Sequence, residues 1–212
     1  MKTCLIIGAT GLVGRHLVEI LLDDSYYDQI TILVRSSNFK LHPKLRVVIC
    51  NFDQLEDYQN YFSVNDFYCA MGTTIKTAKS KDVFRKVDFE YSLNAARMAK
   101  KKNVKKCLFV SAVGADPKSN FFYSKTKGEL EKALVDLKLN FLGIVRPSLL
   151  LGERSEVRMM EKVAQKIMPK INPLIFGPYK KYRAINARDV AKSLFSLAKG
   201  EDVSEGLEYF TK

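Results

Sequence analysis

The sequence predicts an α/β fold built on a doubly wound parallel sheet. Three observations lead there. Short runs rich in β-branched and aromatic residues alternate with helical patterns through most of the chain. The first run, Cys4 to Ile7, opens directly into three glycines, Gly8, Gly11 and Gly14. Small and polar residues gather at the C-terminal ends of the runs, where a sheet of this kind binds its ligands.

In order, the first strand (4–7) meets a tight glycine turn, and Leu17, Val18, Leu21 and Leu22 then recur at helical spacing, so a helix is expected over 12–23. Further β-type runs lie at 30–34, 46–50, 66–70, 107–112 and 141–146, with helical patterns over 82–102 and 124–138. Right-handed crossovers put the first strand at the centre, in a Rossmann-type order 3-2-1-4-5-6. The strand ends then carry Gly8, Arg35, Asp53, Met71-Gly72, Ser111 and Pro147. One domain is expected over 1–212, with 148–212 as a short C-terminal extension on the substrate side. Within that tail, Val157, Met160, Ala164, Ile167 and Ile171 form an apolar stripe, with Arg158, Lys162 and Lys166 on another face. The segment 155–171 reads first as an ordinary amphipathic helix, then as a lid, and last as a peripheral membrane contact.

Composition narrows the classes. Apolar runs are too short for a membrane-spanning helix, and Met1-Lys2 leads straight into the first strand without a signal peptide, so a cytoplasmic protein is expected. Cys4, Cys50, Cys69 and Cys107 lie in apolar runs without C-x-x-C spacing and read as buried thiols. Two histidines, His16 and His42, leave little for a metal site or a Ser-His-Asp triad, and no metal is expected. The net charge of +12 suits anionic ligands. Nucleic-acid binding would rest on that charge alone, since no motif supports it, and oligomeric state is not readable from the sequence.

The glycine spacing G-x-x-G-x-x-G lets backbone N–H groups and a helix N-terminus meet a phosphate. Where an NAD-specific site would carry an acidic residue about 20 residues beyond the glycines, this chain has Arg35, followed by Ser36. A guanidinium binds a 2′-phosphate that a carboxylate would repel, which points to NADP(H) rather than NAD(H). Asp53 can hydrogen-bond an adenine amino group or cap the following helix. Ala70, Met71 and Gly72 are small enough, or flexible enough, to let the chain pass close to a cofactor.

Tyr123 and Lys127 stand four apart at a helix start, so the phenol and ammonium share a face. Ser111 precedes them at the end of the fifth strand. A phenol titrates ordinarily near pH 10, and a neighbouring ammonium favours its ionised form. Tyr123 would then exchange a proton with a carbonyl oxygen that Ser111 hydrogen-bonds, as a hydride is transferred.

The stretches IIGATGLVGR, LVRSS, CAMGTT, SAVGAD, YSKTKGELE and RPSLLLGER together resemble atypical short-chain dehydrogenases/reductases, and more narrowly the Tat-interacting-protein-like oxidoreductases. The resemblance implies an NADPH-binding oxidoreductase acting on a small carbonyl compound. It implies that Thr10, Gly11, Leu12 and Val13 hold the pyrophosphate, and that Arg35 and Ser36 hold the 2′-phosphate. It further implies that Met71-Gly72 line the adenine-ribose side, that Tyr123 and Lys127 form the catalytic pair, and that Leu150 and Arg158 contact the cofactor from the C-terminal side. Asn94 loosely matches a helix position where the wider family often has an asparagine. Relatives of this subgroup resemble partner-binding proteins as much as enzymes, so an NADPH-binding scaffold or redox sensor is the rival reading. Arg35→Asp should weaken NADPH binding far more than NADH binding in a fluorescence titration; equal losses would remove the NADP(H) assignment.

Overall fold

Along β1 (Thr3–Ile7), Cys4 and Ile6 face one side of the sheet and Leu5 and Ile7 the other, all fully buried, as a strand covered on both faces requires. The computed structural model describes residues 1–151, 184–203 and 207–212. In it β1 is central, flanked by β2 (Gln29–Val34) and β3 (Leu45–Ile49) on one side and by β4 (Asp66–Cys69), β5 (Lys106–Val110) and β6 (Leu142–Arg146) on the other, all parallel. This is the expected order 3-2-1-4-5-6. A short pair, β7 (Leu150–Leu151) and β8 (Ile185–Asn186), stands apart from the main sheet, while β9 (Glu208–Thr211) adds a seventh, antiparallel strand beside β6.

Helix α1 (Leu12–Asp23) covers one face of the sheet through Val13, Leu17, Val18 and Leu21. On the opposite face lie a 3₁₀ segment (Phe52–Phe62), α4 (Ser92–Lys101) and α5 (Phe122–Asp136), packed through Phe52, Phe62, Ala96, Ala99, Leu130 and Leu134. Before α4 come the short α2 (Ile75–Ala78) and α3 (Lys81–Arg85). A π turn (Lys86–Tyr91) joins α3 to α4, so the helix expected over 82–102 is one rod with a widened turn inside it. The tail contributes α6 (Ala187–Lys199), which packs beside α1 through Val190, Ala191, Leu194 and Phe195. Neither α6 nor β9 was among the sequence expectations, although Asn186 caps α6 by accepting from the Arg188 N–H at 2.8 Å and the apolar residues follow helical spacing. The amphipathic segment 155–171 lies outside the described residues.

Two polar arrangements hold the edges of this sandwich. At the C-terminal end of β6, Arg146 donates Nε and Nη2 to Glu131 of α5, the latter at 2.7 Å, and Nη1 to Glu208 of β9 at 2.6 Å. At the opposite end, the Tyr27 hydroxyl donates to buried Asp66 at 2.6 Å and lies 2.8 Å from the Tyr68 hydroxyl. Burial pushes the Asp66 carboxyl above the usual range, and the Tyr27 hydrogen bond and the charges of Lys2, Lys106 and Lys105 oppose this without overcoming it.

A carboxyl raised on folding stabilises the native state fully only below its unfolded value and loses that contribution as pH rises through the folded one. Asp66→Asn should therefore gain stability relative to the native sequence as pH rises from about 4 to about 7, read by urea unfolding across that range. A constant difference would contradict the assignment.

Candidate functional site

The turn after β1 is shaped by contact with the end of β4. Gly8 has φ +78°, and a Cβ there would stand 2.4 Å from the Ala70 carbonyl carbon; a Cβ at Gly14 would stand 2.1 Å from the Gly8 oxygen. At Gly8, glycine is thus required both by the left-handed backbone and by the close passage of two segments of the chain. The Gly11 N–H closes the turn on the Gly8 oxygen at 3.0 Å, and Arg15 Nε ties back to the Thr10 carbonyl at 3.1 Å. Gly11 is the N-cap of α1 and supplies no side-chain cap, so the first N–H groups of the helix face outward for an anion to accept.

Above this turn a cavity of about 1090 Å³ runs across the C-terminal strand ends. Of the expected cofactor residues, Gly8, Thr10, Gly11, Leu12, Val13, Arg35, Ala70, Met71, Gly72 and Leu150 line it, with Tyr123 and Lys127. Gly14 is buried beneath the turn as a packing glycine. Ser36 is exposed beside Arg35 but outside the lining. Asp53 is outside it too: its carboxylate accepts from the Tyr91 hydroxyl at 2.6 Å and pairs with Lys86 at 2.7 Å, which hold it below the usual carboxylate range. The capping role expected as an alternative for Asp53 falls to another residue. Asn51 caps the 3₁₀ segment instead, and Phe52 lines the cavity. Arg158 lies outside the described residues.

At the far end, Ser111 follows β5, its N–H bonded to the Val145 carbonyl at 2.8 Å. Its Oγ is buried and has no hydrogen-bond partner among the described residues. A buried hydroxyl without a partner is costly in a finished core but is expected where a ligand oxygen completes it. Tyr123, in the first turn of α5, is 39% exposed and packs at 5.7 Å from the Phe84 ring, not against Phe121 or Phe122. One turn on, Lys127 is buried and lines the cavity, so Ser111, Tyr123 and Lys127 all border the same cavity.

Lys127 differs from expectation in one respect. Its Nζ lies 2.7 Å from Oδ1 of Asp88, a wholly buried carboxylate of the π turn. Burial pulls the ammonium down, but the charge and hydrogen bond of Asp88, joined by the neighbouring Tyr123 and Cys69, together outweigh it and hold Lys127 above the ordinary lysine value. The lysine therefore remains charged, with its charge balanced by a neighbour rather than offered to the phenol alone. Asp88 was missed in the sequence, though a signal exists: Phe84, Asp88, Ser92, Ala96 and Ala99 follow helical spacing, which puts a carboxylate on a buried stripe. Asn94, in contrast, is exposed and accepts from Arg97. His16 borders the cavity with Glu19, and Asn186 and Arg188 of the tail border it as well. Burial raises the thiols of all four cysteines, which are free and buried, with Cys50 pushed up to about 11 and Cys107 to about 12. Among the described residues no cluster of His, Cys, Asp or Glu could hold a metal ion, and no helix is long and apolar enough to cross a membrane.

Sheet order, glycine turn and anion-facing helix together define a Rossmann-type dinucleotide-binding protein. Residues 8–198 match the family described as NAD(P)H-binding, and the chain belongs to that family. It is 32% identical over 169 residues to "Protein HTATIP2" of Rattus norvegicus, covering 78% of this chain and 69% of that one. It is 36% identical over 157 residues to "Protein FMP52, mitochondrial" of Candida albicans, covering 71% and 68%. The fold is shared with a UDP-glucose 4-epimerase of Thermotoga maritima, with a TM-score of 0.70 at 18% identity over 92% of this chain and 73% of that one. It is shared too with MoeE5 in complex with UDP-glucuronic acid and NAD, with a TM-score of 0.72 at 14% identity over 95% and 73%. These place the chain among the atypical short-chain dehydrogenases/reductases that its motifs resemble. The mitochondrial label of the fungal relative lends no support to the expected cytoplasmic location.

The turn suits a nicotinamide dinucleotide because the uncapped N-terminus of α1 borders the cavity, and only a glycine at position 8 lets the turn pass this close to Ala70. Gly8→Ala should cost about 2–4 kcal/mol through left-handed strain and overpacking, read by chemical unfolding. NADPH affinity should fall with it; unchanged values of both would mean that the turn is not constrained by Ala70.

Proposed function

We propose that this protein is an NADP(H)-dependent oxidoreductase that reduces a small carbonyl compound. The observation that carries the reading is the Ser111 hydroxyl, without a hydrogen-bond partner among the described residues and buried at a cavity that Tyr123 and Lys127 also line. In this reading Ser111 donates a hydrogen bond to the carbonyl oxygen and so orients it. Tyr123 gives its phenolic proton to that oxygen, and the exposure of its ring to the cavity leaves the hydroxyl within a substrate's reach. Lys127 stays protonated through Asp88 and supplies a fixed ammonium beside the phenol. Bound NADPH would supply the hydride that such a reduction needs. The preference for NADP(H) is supported by Arg35, which lines the cavity at the end of β2. Among the described residues the acidic lining residues are Glu19 and Asp88, and each is paired with a cation, Glu19 with His16 and Arg188 and Asp88 with Lys127. Leu150 and the tail would form the substrate side.

A second reading is an NADPH-binding scaffold or redox sensor. The Lys127–Asp88 pair favours it to this extent: the pair would hold α5 to the π turn whether or not a substrate turns over.

Nicotinamide absorbance with a panel of aldehydes and ketones separates the two. The native protein should oxidise NADPH with at least one of them, and Tyr123→Phe should keep NADPH affinity while losing turnover by about 10²-fold or more. NADPH binding without turnover of any panel member supports the scaffold; turnover unaffected by Tyr123→Phe removes the phenol from the chemistry.

A further inference from the structure

Two full charges lie together at the base of the cavity, with side chains 5% and 0% exposed for Lys127 and Asp88. Burying such a pair is expensive, and well-packed apolar residues of similar volume are often no worse for stability. A strongly coupled titratable pair in a cleft is therefore a candidate for function. The two oxygens of Asp88 do different work. Oδ1 lies 2.7 Å from Lys127 Nζ, and Oδ2 accepts the backbone N–H of Thr73 at 2.8 Å. Thr73 belongs to the segment after β4 that forms the cavity floor with Ala70, Met71 and Gly72. That floor rests directly on the pair: a Cβ at Gly72 would lie 3.7 Å from Asp88 Oδ1 and 3.8 Å from Lys127 Nζ. Asp88 itself sits in the π turn between α3 and α4, a local widening that recurs at functional sites.

We propose that Asp88 is a positioning residue that holds the Lys127 ammonium charged and in place while fastening the Met71–Thr73 floor of the cofactor site to α5. This rests on the reading of the cavity as an NADP(H) site with Lys127 beside the reacting phenol. The other titratable groups acting on Lys127 are Tyr123 of α5 and Cys69 of β4, whose burial raises its thiol. Neither replaces Asp88: the Tyr123 ring is partly exposed, and the Cys69 thiol donates to Ser92 at 3.5 Å. Without Asp88, burial acts on Lys127 with no adjacent carboxylate to oppose it, and the side chain loses its charge and its anchor.

The test reads the Lys127 side-chain nitrogen by ¹⁵N NMR, assigned by its absence in Lys127→Met. In the native protein it remains an ammonium to about pH 9 or beyond. In Asp88→Asn it should deprotonate at least about tenfold more readily, one pH unit lower, and NADPH affinity measured by fluorescence should fall by a similar factor. Asp88→Glu should restore the ammonium, which a purely steric role would not. A folded Asp88→Asn protein with unchanged Lys127 ionisation overturns the proposal, as does a shifted ionisation with undiminished NADPH affinity. Should Asp88→Asn fail to fold, the native titration still decides: loss of the ammonium signal below about pH 8 overturns it. If the native protein does not bind NADPH at all, the cofactor reading fails by itself, and the NMR titration judges the Asp88–Lys127 coupling separately.

Discussion

The approach of the β1–α1 turn to the end of β4 governs the geometry of the site. Gly8 passes so close to Ala70 that a single methyl carbon would stand 2.4 Å from its backbone, and Gly14 is pressed equally hard against Gly8. Adjacent parallel strands already fix β1 and β4 side by side. The glycines let the chain leaving β1 turn over β4 at once, which aims the N-terminus of α1 along the strand ends rather than away from them. The first free N–H groups of α1, the Ala70–Thr73 floor and the guanidinium of Arg35 then border a common cavity. An anion-binding end, a floor and a cation at the edge of the cavity follow from one steric allowance.

The opposite end of the cavity obeys an electrostatic constraint. Ser111, Tyr123 and Lys127 come from the end of β5 and the first turns of α5, and the backbone N–H of Asp116 reaches the Ser124 carbonyl at 3.1 Å to hold the intervening loop against the helix. Lys127 can be buried there only with a counter-charge, and Asp88 provides it from a helix far away in sequence. The counter-charge also bonds the floor, through Thr73. The cavity segment after β4 and α5 are thus joined through one carboxylate.

Much of this was legible in the sequence because it depends on local rules. Cys4–Ile7 followed by Gly8, Gly11 and Gly14 announces a strand, turn and helix without reference to anything distant. Tyr123 and Lys127 share a face because they are four apart on a helix, and Arg35 ends a strand whose position follows from the alternation. The capping role open to Asp53 went elsewhere where side-chain geometry decided: Asn51 caps the segment, and the Asp53 carboxylate meets Lys86 and Tyr91. Asp88 escaped notice because its i, i+4 stripe reads as ordinary core until the partner is known.

The amino-acid order alone determined the class of fold, the order of its first six strands, the phosphate-facing turn and the residue types at the strand ends. These follow from hydrophobic periodicity and from backbone conformations that only particular residues adopt. Tertiary structure alone decided that β9 extends the sheet and α6 packs beside α1, that Ser111 has no hydroxyl partner among the described residues, and that the charge of Lys127 is met by Asp88. Each is a contact between segments distant in the chain, and the energy of burying or pairing a polar group is set by what surrounds it in space, which no spacing along the chain records.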